Sequence, residues 1–275
     1  MSKQKVIVRD ISWLSFNSRV LQEADDDTVP LRERIRFLGI FSNNLDEFFR
    51  VRVATLKRMI EIGANKANMH LEASPGRILH DIQEKVFQLQ KDFDRIWNEI
   101  LRDLKKEKIL LLTDTQLNKE QQKFIVNYFD EEIRSNIVPL MIESIQSFPT
   151  LSDKSIYLAC KLSKADKSIP ERFALVSVPA RRLSRFVILP SKENEHHIIL
   201  LEDVIRFCLP FIFSFFGYDV FSAHIIKVTR DAEIDIDNDV STSLMEKIEK
   251  GIRNRKKGKP VRFVFDKEID PSLLI

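Results

Sequence analysis

Early in the chain, a polar step interrupts an apolar helical pattern and carries the side chains best suited to hold a ligand. It reads Ser-Asn-Asn-Leu-Asp-Glu over residues 42–47. The amide of Asn44 can both donate and accept hydrogen bonds, which suits the edge of a base or a ribose hydroxyl. If a helix begins here, its first backbone N–H groups also favour an anion. Asn44 is therefore the first candidate for a binding residue.

A structural interpretation of the same step needs no ligand. Asn44 and Glu47 have the spacing of a capping box, in which two side chains satisfy the first backbone N–H groups of a helix. From the residues alone we favour this interpretation over a binding site. Both stay open, because one Asn can serve both purposes.

Basic residues follow the polar step on the same predicted helix. They are Arg50, Arg52, Lys57 and Arg58. An arginine that faces a phosphate makes a strong charge-assisted contact. A solvated basic face explains each of them without a ligand, and we favour it for any single residue.

Two further basic groups are equally ambiguous. The run over 253–259 could bind a polyanion. It also lies where a helix should end, just before Pro260, and cations there stabilise the helix dipole. Arg181, Arg182 and Arg185 form the second group. Neither group predicts a ligand by itself.

The acidic and histidine residues lack the spacing that metal sites and catalytic nucleophiles require. Carboxylates alternate from Asp231 to Asp239, which fits one face of an extended segment better than a coordination loop. The histidines, at positions 70, 80, 196, 197 and 224, show neither metal-ligand spacing nor a nucleophile beside a base. Walker A, GxGxxG, GxSxG and HExxH motifs are absent from the sequence. The residues predict no metal site and no catalytic residue, and they leave open whether the chain is an enzyme.

The composition indicates a soluble globular protein without a strong overall field. The 44 basic and 41 acidic residues give a net charge of +3, so no specific nucleic-acid partner is expected. Cys160 and Cys208 lie in apolar runs without CxxC spacing, which is typical of buried, reduced thiols in a cytoplasmic protein. No apolar stretch approaches the ~20 residues of a membrane span, and the longest, over 207–216, is broken by Pro210. We expect a cytoplasmic location and no membrane span.

The elements that must position these residues begin with a helical region. Apolar residues recur at helical spacing over 11–24, 31–41, 45–60 and 76–106. The last stretch would form a helix about 46 Å long. Its apolar stripe must pack on the preceding helices, so the pattern predicts an antiparallel helical bundle.

Beyond the long helix, the pattern changes to short strands. Runs of β-branched and aromatic residues predict strands over 156–162, 172–178, 185–190, 197–201, 221–230 and 261–266. Asn118 caps the first of the predicted helices, which cover 118–135, 201–216 and 239–255. Strands in sequence with helices set apart predict an α+β domain with a largely antiparallel sheet.

The change of pattern places a domain boundary after the long helix. We predict a helical N-terminal domain over 1–106 and an α+β head domain over 107–275. The last residues, Pro-Ser-Leu-Leu-Ile, form an apolar end directly after a strand, whereas a natural terminus tapers into polar residues. This pattern indicates a head domain that is cut short at its C-terminal end.

Three blocks of the sequence resemble polyphosphate kinases of the histidyl-phosphate type. They are ISWLSFNSRVLQEADDDTVPLRERIRFLGIFSNNLDEFFRVRVATLK (11–57), IIKVTRDAEIDID (225–237) and PVRFVFD (260–266), in the order that the family has them. The resemblance spans essentially the whole chain. It implies a helical N-terminal domain and a head domain, which two phospholipase-D-like catalytic domains follow in the family.

The resemblance also implies a reaction and the residues that take part in it. Family members reversibly transfer the γ-phosphate of ATP to polyphosphate, through a phosphohistidine and with Mg²⁺. Asn44, within SNNLDEF, would contact the nucleotide at the roof of the active-site tunnel. The phosphorylated histidine and the residues that hold Mg²⁺ lie in the later domains, which no segment here matches. None of the five histidines would then be catalytic, and the 275 residues alone would be inactive.

The partners that the resemblance implies are ATP or ADP, inorganic polyphosphate and a second copy of the chain. In the family the head domain helps to build a dimer or a higher oligomer, which suits the Phe-rich run over 208–216. Two other classes of function stay open. One is a non-catalytic module that binds RNA or another polyanion, whose affinity would fall steeply with salt. The other is a purely structural dimerisation unit.

Overall fold

A computed structural model of the chain describes residues 8–63, 73–142, 149–232 and 258–274. Contacts between residues divide the chain into two units, of which the first takes 1–104 with 229–262 and the second takes 105–228 with 263–275. The domain boundary expected after residue 106 stays a prediction. The helix predicted over 239–255 lies outside the described residues, as do the acidic positions 233–239 and positions 253–257 of the basic run.

The first unit is built on helices. They are α1 (Arg9–Asp25), α2 (Leu31–Phe48), a π-helical segment (Phe49–Val53), α3 (Ala54–Glu61) and α4 (Pro75–Lys106). The helices predicted over 11–24 and 76–106 are confirmed to within two residues. The helical N-terminal region that the sequence indicates is therefore confirmed.

The burial pattern of α4 explains its length. Ile78, Ile82, Leu89, Ile96 and Ile100 recur at spacings of four and seven residues, and all of them are buried. This spacing places them on one face of a helix. They share a core with apolar residues of α1, α2 and α3, so the stripe is covered along most of its length.

One prediction for this unit is wrong. The polar step at 42–44 does not interrupt the helix, because α2 continues to Phe48 and the chain stays helical to Glu61. Asn44 and Glu47 lie inside α2, where backbone N–H groups already bond carbonyls of the preceding turn. The capping box and the helix-start anion site are therefore both excluded at this position.

The strands belong to two sheets. They are β1 (Ile109–Leu112), β2 (Pro139–Ile142), β3 (Ile156–Ser163), β4 (Arg172–Ser177), β5 (Phe186–Leu189), β6 (His196–Leu200), β7 (Val220–Arg230) and β8 (Pro260–Phe265). One sheet has the order β2-β4-β3-β7-β8 and the other β1-β6-β5. The β1–β6 pair is parallel, whereas β2–β4, β3–β4, β3–β7 and β5–β6 are antiparallel. The predicted α+β fold with a largely antiparallel sheet is confirmed.

Two of these strands escaped the sequence analysis. Strands β1 and β2 are each four residues long, and their sequences show no alternation of polar and apolar residues. Alternation and length are the signals that separate a strand from other short apolar runs. The six strands that the sequence did predict are all present.

Successive side chains of β3 belong alternately to two cores of the second unit, so the larger sheet lies between these cores. Leu158, Cys160 and Leu162 belong to one core, and Tyr157 and Ala159 belong to the other. Successive side chains of a strand point to opposite faces, so both faces of β3 are covered. The first core also holds apolar side chains from the neighbouring helices and from β5 and β6.

The α-helices described in the second unit are α5 (Lys119–Tyr128), α6 (Leu201–Phe207) and α7 (Leu209–Ile212). A second π-helical segment (Phe129–Ile133) and a short 3-10 turn (Arg134–Asn136) continue α5, so the chain is helical over the stretch predicted at 118–135. Asn118 caps α5 as predicted: its Oδ1 accepts from the Gln121 N–H at 2.9 Å, and Gln121 Oε1 accepts from the Asn118 N–H at 3.2 Å. The prediction of a single helix over 201–216 is wrong, because one helix ends at Phe207 and another begins at Leu209, with Cys208 between them. Pro210 explains the break, since its ring removes a backbone N–H and clashes with the carbonyl four residues earlier. Within the described ranges, no helix has the length and apolar character needed to cross a bilayer.

Candidate functional site

A cleft of about 320 Å³ in the first unit contains Asn44 in its wall. Asp10 and Trp13 line it from α1, Phe48 lines it from α2, and Arg52 lines it from the π-helical segment. Small-molecule sites usually range from about 300 to 1,000 Å³. The cleft is therefore large enough for part of a small ligand, such as a base with its sugar.

The burial pattern of α1 explains how polar groups reach this cleft. Asp10, Leu14, Asn17, Leu21 and Ala24 recur at spacings of four and three residues, and all five are buried. Two positions of an otherwise apolar stripe are therefore polar. Buried polar side chains need hydrogen-bond partners, so these are the points at which α1 must meet a polar group of another element.

Asn17 is fully buried and bonds twice to α2. Its Nδ2 donates to the carbonyl of Phe41 at 3.3 Å, and its Oδ1 accepts from Nδ2 of Asn44 at 3.0 Å. The second bond sets the orientation of the Asn44 amide, which is half-buried at the cleft. A side-chain amide has two N–H donors and an acceptor oxygen, and the bond to Asn17 uses one of the donors. Asn44 thus has its orientation set from the core and retains polar groups for a ligand.

Asp10 is the second polar position of α1, and it pairs with Arg52. Nε of the guanidinium donates to Oδ1 at 2.8 Å, and Nη2 donates to Oδ2 at 3.2 Å. Two parallel bonds make this the strong form of the pair, and they raise the pKa of Arg52. The side chain of Arg52 remains 38% exposed, whereas that of Asp10 is 6% exposed. Arg52 is therefore a positioned cation whose outer side faces solvent.

The segment that carries Arg52 is wound as a π-helix from Phe49 to Val53. Such segments hold a wider turn within a helix and occur often at functional sites. Val51 and Arg52, both within the segment, line the cleft. The wide turn therefore coincides with one wall of the cleft.

An aromatic pair forms another part of the wall. The rings of Trp13 and Phe48 stack with centroids 4.6 Å apart and planes inclined by 12°. Phe48 is buried, whereas Trp13 is half-buried. An aromatic surface beside an oriented amide and a cation offers stacking and hydrogen bonds to a planar polar ring. The cleft is thus chemically suited to a nucleobase or its sugar.

The other basic residues of this helical stretch have structural partners. Lys57 Nζ donates to the carbonyl of Val261 at 3.0 Å, and Arg58 pairs with Asp231. Arg50 lies 3.7 Å from a glutamate one turn earlier. These contacts favour the structural interpretation of Arg50, Lys57 and Arg58, whereas Arg52 lies at the cleft.

Several residues that organise this region were not predicted from the sequence. Trp13 fell within the apolar pattern over 11–24, and Asp10 and Asn17 were not considered, although both break the apolar stripe of α1. Arg262 was not predicted either; it pairs with Asp46 at 3.1 Å, and its guanidinium lies 4.9 Å from the centre of the Phe49 ring. Burial lowers the pKa of Arg262. The stripe of α1 was a readable signal, but no sequence signal joins Arg262 to a partner more than 200 residues away.

The histidines for which the structure gives contacts have structural or surface partners. Nδ1 of His197 lies 2.8 Å from Nε2 of Gln121, and its Nε2 lies 3.1 Å from a carboxylate oxygen of Glu195. His80 lies 3.5 Å from Glu84 on the surface of α4. In the part of the chain that the structure describes, no three His, Cys, Asp or Glu side chains are placed to hold a metal ion. The described residues therefore do not fit the Mg²⁺ that the resemblance implies.

The candidate residues of the second unit fall into two groups. Arg185 pairs with the fully buried carboxylate of Glu202, which is a structural role. Arg181 and Arg182 line a separate cleft.

Cys160 and Cys208 are buried and unpaired with each other, as predicted, and burial raises the pKa of both thiols to about 12.

Comparisons with protein families match both halves of the chain. The family model described as the polyphosphate kinase N-terminal domain matches residues 6–112. The one described as the polyphosphate kinase middle domain matches residues 120–275.

Individual proteins agree with the family models. The chain is 41% identical to the polyphosphate kinase of Vibrio parahaemolyticus and 39% identical to that of Escherichia coli K12, over all of this chain and 39% and 40% of those proteins. The crystal structure of polyphosphate kinase from Porphyromonas gingivalis matches with a TM-score of 0.79 and 31% identity, over 99% of this chain and 37% of that one. The chain spans about two fifths of the length of the curated relatives it matches.

Proposed function

Because the chain belongs to the polyphosphate kinase family, we propose that it supplies the nucleotide-contacting and dimer-forming part of an ATP:polyphosphate phosphotransferase. Such an enzyme moves the γ-phosphate of ATP reversibly onto inorganic polyphosphate through a phosphohistidine, and Mg²⁺ supports the transfer. The relatives extend well beyond the length matched here. We assign the phosphohistidine and the Mg²⁺ ligands to the part of such an enzyme beyond these residues, because the resemblance implies that they lie in the later domains; the surface partner of His80 and the structural partner of His197 agree with this assignment.

Asn44 is the residue that we assign to the nucleotide. The observation that carries this assignment is the bond from Asn44 to Asn17, which orients the amide at the wall of the cleft. Trp13 adds an aromatic surface and Arg52 adds a cation at the same cleft. Together they could hold a base or ribose by stacking and hydrogen bonds.

The role of this cleft would be binding and orientation. Contacts to parts of a nucleotide that do not react supply binding energy that places the reacting phosphate correctly. An interaction that is equally strong before and during transfer lowers KM without raising kcat. In an enzyme that contains this segment, loss of the Asn44 contact should therefore raise KM for ATP more than it lowers kcat.

Trp13 offers a direct test of nucleotide binding. The chain has two tryptophans, and Trp97 is not among the residues that line the cleft. In a Trp97→Phe background, ATP or ADP should change the emission of Trp13. Asn44→Ala should weaken binding about tenfold, as expected for the loss of one or two hydrogen bonds. Asn43→Ala, at the exposed neighbouring position on α2, is the matched control.

Two outcomes of this test would refute the role of Asn44. One is an affinity that Asn44→Ala leaves unchanged. The other is an equal loss in the Asn43→Ala control, which would point to a general effect on α2. The free energy of unfolding of each variant, measured in parallel, separates a lost contact from a lost fold.

A separate experiment tests whether the phosphohistidine lies outside these 275 residues. The 275-residue chain is incubated with γ-labelled ATP, Mg²⁺ and inorganic polyphosphate, and label is followed into protein and into acid-insoluble chains. We expect no transfer. Transfer that persists after contaminating kinases have been removed would contradict the assignment of the phosphohistidine.

We also propose that the Phe-rich run forms a contact between two copies of the chain. Part of the run is buried in the core of the second unit, but Phe211, Phe215 and Phe216 are 43%, 94% and 43% exposed. Neighbouring exposed rings of this kind often mark an interaction surface. Phe215→Asp should shift sedimentation towards the monomer, whereas Phe186→Asp, at a ring that is 59% exposed on β5, should not. A chain that is monomeric at high concentration without any substitution would contradict the proposal.

A further inference from the structure

A second cleft, in the α+β unit, is lined by cationic side chains. Its volume is about 300 Å³, and Lys154, Arg181 and Arg182 lie in its wall with the polar residues Asn136 and Ser177. Among the residues that the structure describes, no carboxylate belongs to this wall. The cleft therefore combines three positive charges with neutral hydrogen-bonding groups, which is the composition of an anion site.

The order of the larger sheet explains why these residues meet. Strand β4 ends beside the beginning of β3, where the N–H of Val178 donates to the carbonyl of Ile156 at 2.9 Å. On its other side β4 pairs with β2, and Pro139 lies opposite Val176. The residues just before β2 and β3 and just after β4 therefore come together at one end of the sheet. Asn136 precedes β2 and reaches the cleft in this way.

A tight turn carries the two arginines to the same end. The N–H of Arg182 donates to the carbonyl of Pro179 at 2.9 Å, which closes the turn after β4. Arg181 Nη2 donates to the carbonyl of Asp153 at 3.1 Å, directly beside Lys154 in the sequence. The turn after β4 and the segment before β3 are thus held together by a hydrogen bond.

The charges of this cleft are not neutralised by the described residues. A backbone carbonyl leaves the charge of Arg181 intact and uses one of the five N–H donors of its guanidinium. None of the ion pairs between described residues involves Lys154, Arg181 or Arg182. Arg185, a few residues further on, differs from them because it is paired with Glu202. The three cations of the cleft are therefore available to an external anion.

We propose that this cleft binds an anion made of several linked phosphate groups. Three cations around a small opening match a ligand with several closely spaced negative charges. Arginine binds phosphate oxygens through its planar fork and lysine binds them as a point charge. The proposal rests on the proposed function in one respect, since that function supplies inorganic polyphosphate as the ligand. It uses none of the residues that we assign to the nucleotide.

Lys154 allows a test in which the fold is preserved. Its backbone has a left-handed φ of 56°, which Asn adopts more readily than Lys, so Lys154→Asn removes the charge and suits the turn. Lys167→Asn is a matched control, because Lys167 is exposed, has a φ of 55° and lies outside the cleft. Arg182→Gln removes a second cation of the wall. Binding of inorganic polyphosphate, tripolyphosphate and ATP to the 275-residue chain is then measured by calorimetry at several salt concentrations.

The expected result is a loss confined to the variants of the cleft. Lys154→Asn and Arg182→Gln should each lower the affinity for polyphosphate and tripolyphosphate about fivefold. This factor corresponds to the interaction energy of two unit charges about 4 Å apart in water. Each should also reduce the slope of log affinity against log salt by about one. Lys167→Asn should leave both quantities unchanged.

Several outcomes would overturn the proposal. They are unchanged affinity in both cleft variants, an equal loss in Lys167→Asn, and equal binding of an RNA of matched charge. A loss confined to ATP would overturn the assignment to an inorganic chain. Asn44→Ala should leave polyphosphate affinity unchanged, so failure of this proposal would not affect the test of the nucleotide site.

Discussion

Asn44→Ala should destabilise the helical unit more than Asn43→Ala does. Asn44 donates to Oδ1 of Asn17, a residue that is fully buried. Truncation leaves this oxygen of a buried residue without its donor, at a cost of about 1–3 kcal/mol. Both substitutions gain roughly 0.6 kcal/mol of helix propensity, because Ala is the better helix former. The gain cancels in the comparison, so the expected difference between the two variants is about 1–3 kcal/mol.

Tryptophan emission measures this difference in the unit concerned. Both tryptophans of the chain, Trp13 and Trp97, pack against the core of the helical unit. Urea denaturation followed by their emission therefore gives the free energy of unfolding of that unit. Far-ultraviolet circular dichroism, recorded in parallel, follows both units and shows whether they unfold together.

A double-mutant cycle then assigns the energy to the bond itself. Asn17→Ala, Asn44→Ala and the double variant should give a coupling of about 0.5–1.5 kcal/mol. Coupling near zero would refute the reasoning that Asn17 holds the Asn44 amide. Equal stabilities of Asn44→Ala and Asn43→Ala would refute it as well.

Three further predictions concern buried groups. Burial raises the pKa of Asp203 to about 6. The folded chain therefore holds this proton more tightly than the unfolded chain does, and the resulting stabilisation should be complete below about pH 4. It should be lost as the pH rises through about 6, which lowers the free energy of unfolding by up to about 3 kcal/mol. Asp203→Asn should remove this part of the pH profile of the free energy of unfolding, and an unchanged profile would contradict the prediction. Cys160 and Cys208, whose pKa values burial raises to about 12, should resist a disulfide reagent near pH 8 in the native chain and react after unfolding; rapid native labelling would show that they are accessible. Arg262→Ala should cost the helical unit about 3–5 kcal/mol in urea denaturation, because it removes one partner of a buried charge pair; a loss below about 1 kcal/mol would mean that the pair is solvated.

Regular patterns made much of the fold predictable. The stripe of α4 repeats over 32 residues, and the strands that alternate or cluster β-branched residues were found close to their observed bounds. These signals depend on local spacing, which a sequence displays directly. Four-residue strands such as β1 lack such a signal and take their form from pairing with β6.

The polar step at 42–44 was misinterpreted because polarity alone does not reveal its partner. Asn44 resembles a cap when its neighbours alone are considered, but its partner is Asn17, 27 residues earlier on α1. Once that bond is known, a polar residue inside α2 is explained without a helix boundary. Pro210 is a different case, since the sequence contained the signal for the break at Cys208 and a single helix was predicted nonetheless.

The candidate site was predictable in part. The sequence identified Asn44, and the structure places it in the wall of a cleft with Arg52; its contact with a nucleotide stays a prediction. Trp13 and Asp10 were not predicted, because their meeting with α2 and the π-helical segment depends on how helices pack. The cleft lined by Lys154, Arg181 and Arg182 could not be predicted without the strand order, because that order brings together residues from three segments of the chain.

The helical unit has a consequence for the order in which the chain acquires its structure during synthesis. Residues 229–262 belong to this unit with 1–104, and Val261 lies in its core. Lys57 bonds to the carbonyl of Val261 across 204 positions of the chain. At about 5–20 residues per second, a ribosome needs roughly 8–30 s to make the residues between the end of α4 and Val261. The helical unit is therefore completed only after residues 105–228 of the other unit have been made, and α1 to α4 must wait with part of their core uncovered.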